Sequence, residues 1–272
     1  MNPDLTPPDA PLLVDDSTPQ VRVITLNRPH RLNALDGQTL DALIAAIHEC
    51  GQDGRDIRVI VIRGNGRAFC TGNDLKWLAS GVLTDTAAHL RHQDRMQQAF
   101  EALEGARQIV IASVHGHAVA GGFELALAAD ILVVANDAQL GDAHLKRNLL
   151  PSGGSSQRLP RKLGLPRAMF YLITGRSMSG LEAERVGLAA MTVPPENLAT
   201  ATLELATDIA RTDAHALAAM KHMARRALEL PLKDGLALER WSQFRYRNES
   251  PALQASVVAF AAKHIETQLE KP

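Results

Sequence analysis

Short apolar runs alternate along the chain with longer stretches in which apolar residues return every three or four positions, and this predicts strands separated by helices. "VRVITLN" (21–27) sets apolar beside polar residues and runs into "RPH", the pattern of a strand entering a turn. Between Thr39 and Glu49, Leu40, Leu43, Ile44 and Ile47 share one helical face. "IRVIVIRG" (57–64), "QIVIASVHG" (108–116) and "DILVVAND" (130–137) predict further strands, and "TAAHLRHQDRMQQAFEALEGA" (86–106) a long helix closed at Gly105. Such alternation implies an α/β fold whose site lies on loops and helix starts at one edge of the sheet. After Pro151 the pattern turns helical around 156–163, 166–174, 179–187, 196–211, 213–229, 234–247 and 251–269, with few strand signals.

One stretch breaks its own pattern. "HAVAGGFELALAAD" (117–130) is small or apolar on nearly every side, which reads as a buried helix, yet it carries the carboxylate Glu124 two residues after a Gly-Gly pair. By itself that acid is a rim residue, a buried acid with an Arg partner, or a functional group. Two loops that follow strands, "GNGRAFCTGNDLKWL" (64–78) and "GHAVAGGFEL" (116–125), are rich in small residues that let a ligand approach the main chain. A helix opening at Gly121 presents free N–H groups at its positive end, so the two loops together can hold one oxyanion. Neither loop fits a P-loop or a dinucleotide fingerprint.

Composition narrows the classes. A chain of 272 residues suits one large domain, or a domain with an appendage. Its 46% hydrophobic and 22% charged residues are those of a soluble globular protein, and no apolar run reaches the roughly 18 residues of a membrane span, so no membrane role is expected. Lys plus Arg (29) balance Asp plus Glu (30) without a basic block, which disfavours nucleic acid as a partner. The Pro- and Asp-rich start, residues 1–20, lacks the marks of a secretory or transit peptide and reads as a flexible leader. Cys50 and Cys70 have no His or Cys at ligand spacing, so a reduced cytoplasmic protein without a metal site is expected.

The motifs "LNRPHRLNALD" (26–36), "RAFCTGNDLK" (67–76), "SVHGHAVAGGFELALAADI" (113–131), "LLPSGGSSQRLPRKLG" (149–164) and "LITGRSMSGLEAERVGLAAMTVP" (172–194), in this order, resemble the crotonase (enoyl-CoA hydratase/isomerase) family from about Val21 to Pro194. The resemblance implies a spiral of repeated ββα units over 21–200, with a helical region over 201–272 that packs three subunits into a disc, or two discs into a hexamer. It implies an acyl-CoA substrate and no cofactor, coenzyme A being part of the substrate. The thioester carbonyl is expected between the N–H groups of Asn73 and Gly121, where one preorganised donor to an enolate oxygen is worth about 3 kcal/mol. The Asn73 side chain is then a pocket contact or, by preference, merely a loop residue.

Glu124 falls at one of the two catalytic glutamates of the family's hydratases, and desolvation suits it to handling a proton or a water. At the position of the second glutamate stands His144, which is the main departure. A Glu/His pair can still add water across a double bond, so an enoyl-CoA hydratase-type lyase is the leading expectation; the alternatives are isomerisation with one base, hydrolysis of a C–C or thioester bond, a non-catalytic acyl-CoA binder, or a structural histidine. Asp142 either faces solvent or orients His144, and Ser152 brings a hydroxyl where the hydratases commonly have Gly. For coenzyme A the resemblance points to Arg28, His30, Arg31, Ala68 and Lys76, with Lys263 from a C-terminal helix. His115, His117, Asp130, Trp77 and Trp241 read as structural, and the segment 78–93 as the element that closes over the acyl group.

Overall fold

A computed structural model describes residues 10–269 apart from Asp53, with side chains to residue 261. In chain order its strands are β1 Leu12–Asp15, β2 Val21–Leu26, β3 Val59–Gly64, β4 Ile109–Val114, β5 His117–Val119, β6 Ile131–Ala135, β7 Gln139–Gly141, β8 Met178–Ser179 and β9 Met191–Val193. The helices are α1 Gly37–His48, α2 Leu75–Trp77, α3 Thr86–Gly105, α4 Gly121–Ala128, α5 Ser155–Leu163, α6 Leu165–Thr174, α7 Gly180–Arg185, α8 Leu198–Ala210, α9 Ala214–Arg226, α10 Leu232–Glu249 and α11 Ala252–Leu269.

The Val- and Ile-rich runs make one six-stranded sheet, β1-β2-β3-β4-β6-β9, parallel except for β1. Parallel neighbours need long crossovers and bury both faces, which is why β2 is buried at all six positions despite its mixed sequence. Arg22 survives there because Asp16, Glu49 and the Ala46 carbonyl take up its guanidinium. A second sheet, β5-β7-β8, is built of two- and three-residue strands. Single bridges, Leu35 to Asn73 and Cys70 to Ala118, continue its pairing back along the chain.

The spiral follows from these pairings. Each turn sends one strand into the large sheet, crosses through a short segment and returns by a helix: β2, Leu35, α1; β3, Cys70, α3; β4, β5, α4; β6, β7, α5. Successive crossing segments lie side by side, so the starts of their helices gather at one edge.

Three expectations change. Within the expected leader 1–20, Leu12–Asp15 pairs with β2 as an antiparallel edge strand, and residues 1–9 lie outside the described residues. Strands β8 and β9 lie beyond Pro151, where the pattern is mainly helical with few strand signals; they are too short for a periodicity to reveal. The chain divides into two compact units, one ending at Ala210 and one beginning at Arg211, so the core extends past residue 200. Helix α8 belongs to the first unit, with Leu198, Thr202 and Ala206 buried and Thr202 Oγ1 3.0 Å from Ser113 Oγ on β4. The second unit consists of α9, α10 and α11.

Candidate active site

The two small-residue loops meet as their sequences require. Gly72, at φ +83°, lies so close to α4 that a Cβ on it would sit 2.5 Å from the Gly121 nitrogen, so only glycine fits. A Cβ on Gly121 would in turn sit 3.5 Å from the Asn73 nitrogen, which puts the two candidate donors on neighbouring stretches of main chain. Among the described residues neither N–H donates to a main-chain carbonyl, whereas flanking groups do: Leu35 N–H bonds the Gly72 carbonyl at 2.7 Å and Asp74 N–H the Leu35 carbonyl at 2.9 Å. Ala120, just before α4, holds φ 51° and ψ −125°, a conformation that costs a non-glycine residue of order 1–3 kcal/mol. Its ψ sets the plane of the following peptide and thereby the direction of the Gly121 N–H.

All eight residues of α4 are buried, Glu124 completely. The Ser155 N–H, at the start of α5, donates to Glu124 Oε1 at 3.0 Å, while Oε2 is buried with no hydrogen-bond partner. An unsatisfied buried acceptor costs about 1–3 kcal/mol and calls for an explanation. The space beside it is kept open by glycine: a Cβ on Gly153 would lie 2.6 Å from the Phe100 ring and 2.7 Å from Oε2.

His144 opens a short 3-10 turn after β7, following Ala143 in the left-handed conformation. Its Nδ1 lies 2.9 Å from Asp142 Oδ2 and its main-chain N–H donates to Asp142 Oδ1 at 3.2 Å, so Asp142 is buried against the histidine rather than solvent-facing. The Ser155 hydroxyl donates to the same Asp142 Oδ2. Ser155 therefore ties both acids together: its N–H holds Glu124 and its hydroxyl holds Asp142, which leaves His144 Nε2 as the ring nitrogen that Asp142 does not engage.

Burial and pairing set the charges of this group. Desolvation pushes the Glu124 carboxyl up, only partly opposed by the Ser155 N–H and the His144 charge. For His144, burial works against the imidazolium, but the hydrogen bond and charge of Asp142, with the charge of Glu124, outweigh it and raise its pKa. Asp142 likewise overcomes burial through His144 and Ser155 and stays below the usual carboxylate range. The lowering of the glutamate by the imidazolium that a close pair suggests is present but is overridden by burial.

Helix α3 walls the site with His92, Met96 and Phe100 on one buried face. Arg158 of α5 closes the far end by a two-pronged ion pair to Glu104, at 2.8 and 2.6 Å. Ser155, Gly153 and this pair are absent from the sequence reading. The signal that could have found them is the Gly-Gly-Ser-Ser run entering a helix at 153–156.

The expected coenzyme A contacts separate into two groups. His30, Arg31 and Lys76 are exposed. Arg28 is not available in that way: its guanidinium meets Asp36 at 2.9 Å, Asp74 at 3.1 Å and the Ala34 carbonyl, so it braces the loop. Ala68 is buried and its carbonyl accepts from Asn33 Nδ2 at 2.7 Å, a bond that makes Asn33 the brace between the first two motifs. The Lys263 side chain lies outside the described residues, and Ser152 is half-buried beside Gly153. His115 bonds the Gly66 carbonyl at 2.8 Å, and Asp130 accepts the Val110 N–H at 2.9 Å. Trp77 packs on His92, whereas Trp241 is 61% exposed and is no core residue of its unit. Among the described residues no group of three or more His, Cys, Asp or Glu is arranged to hold a metal ion, and no helix is long and apolar enough to cross a membrane.

The family described as enoyl-CoA hydratase/isomerase matches residues 16–267. A probable enoyl-CoA hydratase of Mycobacterium bovis is 37% identical over 243 residues, 88% of this chain and 91% of that protein. The 2,3-dehydroadipyl-CoA hydratase of Escherichia coli is 34% identical over 221 residues, 81% of this chain and 84% of that protein. Among solved structures, an enoyl-CoA hydratase from Bacillus anthracis gives a TM-score of 0.88 at 31% identity, over 93% of this chain and 96% of that one. A Thermobifida fusca protein assigned as an enoyl-CoA hydratase and solved in complex with CoA gives 0.80 at 31% identity, over 88% of this chain and 94% of that one. Motifs, spiral and relatives agree, and the chain belongs to the enoyl-CoA hydratase/isomerase (crotonase) family.

Proposed function

We propose that this protein adds water reversibly across the double bond of a 2-enoyl-CoA. The thioester oxygen rests between the N–H groups of Asn73 and Gly121, so that charge arriving on it as the enolate forms meets donors already in place. Glu124 takes a proton from water through Oε2 while the water oxygen bonds to the β-carbon. The His144 imidazolium gives its Nε2 proton to the α-carbon, and transfer from Glu124 back to His144 through solvent restores the starting state. Asp142 keeps the histidine in the tautomer and charge this requires. The observation that carries the reading is the buried, unpartnered Glu124 Oε2 in one polar network with an Asp-held histidine.

Several finer readings accompany it. His30, Arg31 and Lys76 suit the phosphates of coenzyme A, and water addition needs no further cofactor. Exposed Trp241, Phe244, Val258 and Phe260 in the C-terminal unit favour a trimer or a dimer of trimers. Two buried free thiols, Cys50 and Cys70, fit a cytoplasmic setting.

Incubation with crotonyl-CoA and with a 3-enoyl-CoA tests the activity by product mass. Gain of one water by crotonyl-CoA is expected. Double-bond migration in the 3-enoyl-CoA without hydration would instead make the protein an isomerase, and tight binding without any product would make it a binder.

A further inference from the structure

Asn73 is held by more than its main chain. Its side-chain Oδ1 lies 2.9 Å from Nε2 of His92, a residue 4% exposed in α3 whose ring also packs on Trp77 at 4.6 Å. An amide oxygen accepts only, so the imidazole proton is on Nε2 and Nδ1 is a bare lone pair, buried without a partner. Burial, with His89 nearby, holds the His92 pKa below its ordinary value and keeps the ring neutral.

The chain leaves the site at Asn73 and returns to it at His92. Between them lie α2, a π-type turn over Leu78–Val82 with Gly81 at φ +129°, and the start of α3, capped by Asp85. The bond between Asn73 and His92 therefore closes the neck of this excursion. The Leu35 N–H already holds the carbonyl of the peptide between Gly72 and Asn73 at 2.7 Å, and the freedom left in the aim of its N–H is rotation about φ of Asn73. Anchoring the side chain restrains that rotation, because Cβ and the N–H turn relative to one another about the same bond.

We propose that His92 is a positioning residue for the reaction, which aims the Asn73 N–H at the thioester oxygen by holding the Asn73 side chain, and so links residues 74–91 to the oxyanion contact. The proposal rests on the hydratase reading above. It also revises the expectation that the Asn73 side chain is only a loop group.

The test compares wild type, His92→Phe, His92→Gln, Asn73→Ala and the Asn73→Ala/His92→Phe double variant. His92→Phe keeps the ring against Trp77 and removes the donor; His92→Gln restores one. The readouts are kcat and KM for crotonyl-CoA, and the infrared carbonyl stretch of bound butyryl-CoA, which falls in frequency as donors polarise the carbonyl. His92→Phe is expected to lose about half of that red shift and to lower kcat about tenfold while leaving KM within about twofold. His92→Gln should recover most of both, and His92→Phe should have no further effect in the Asn73→Ala background. If His92→Phe does not fold, Asn73→Ala removes the same bond from its other end and is expected to give the same losses. An unchanged stretch and kcat in either folded single variant overturns the proposal, as does an equal drop in both backgrounds. Absence of turnover and red shift in the wild type itself overturns the hydratase reading, and the proposal with it.

Discussion

Three titratable side chains share one buried network, and each is shifted in its own way. The Asp142 carboxyl is lowered by His144 and Ser155, the His144 pKa is raised by Asp142, and the Glu124 carboxyl is raised by its own burial. The proposed hydration draws on the protonated histidine, so turnover is expected to fall as pH rises through its raised pKa. Asp142→Asn removes the anion that overcomes desolvation, which drops the histidine pKa. Its alkaline limb should therefore move to lower pH, and turnover near neutrality should fall about tenfold. A kcat/KM profile against pH checks this, and an unmoved limb contradicts the role given to Asp142. At this scale the sequence was legible where one residue carries the signal: an acid in an apolar helix, and a histidine at a recognisable position. The surroundings of Arg28 were not legible, because its place in a motif does not reveal that Asp36 and Asp74, one distant in the chain, converge on it. Ser155 was invisible for a related reason, since half of its role belongs to its main-chain N–H.

Elements long enough to show a period were legible in the sequence. Strands β2, β3, β4 and β6, and helices α1, α3 and α5 to α11, lie within a few residues of where their patterns put them. The short strands β5, β7, β8 and β9 span only two or three residues, fewer than an alternation needs, and they exist because neighbouring turns of the spiral offer them partners. Strand β1 was hidden by its Pro- and Asp-rich surroundings, although only Leu12 of its four residues is buried. The short strand β5 and the bridges nevertheless matter most to the site, since they bring Leu35, Asn73, Cys70 and Ala118 into adjacent rows and deliver α4 to Gly72. Local composition did announce that meeting. Glycines at 72 and 121 are there because any larger residue at Gly72 would strike the opposite main chain.

Over the whole molecule, the network of Glu124, Asp142, His144 and Ser155 lies within the unit that ends at Ala210. The second unit exposes aromatic and aliphatic side chains, Phe244 at 53% and Val258 at 68%, which the proposed trimer or dimer of trimers would cover. A solution mass of three or six chains by light scattering is expected, and a stable monomer contradicts that assembly. The chemistry itself stands or falls on Glu124. The most direct measurement is steady-state hydration of crotonyl-CoA by wild type and by Glu124→Gln, nearly isosteric but unable to act as a base, alongside the affinity of each for butyryl-CoA. The account predicts a loss in kcat of at least ~100-fold with butyryl-CoA affinity almost unchanged. Full turnover by folded Glu124→Gln would contradict it.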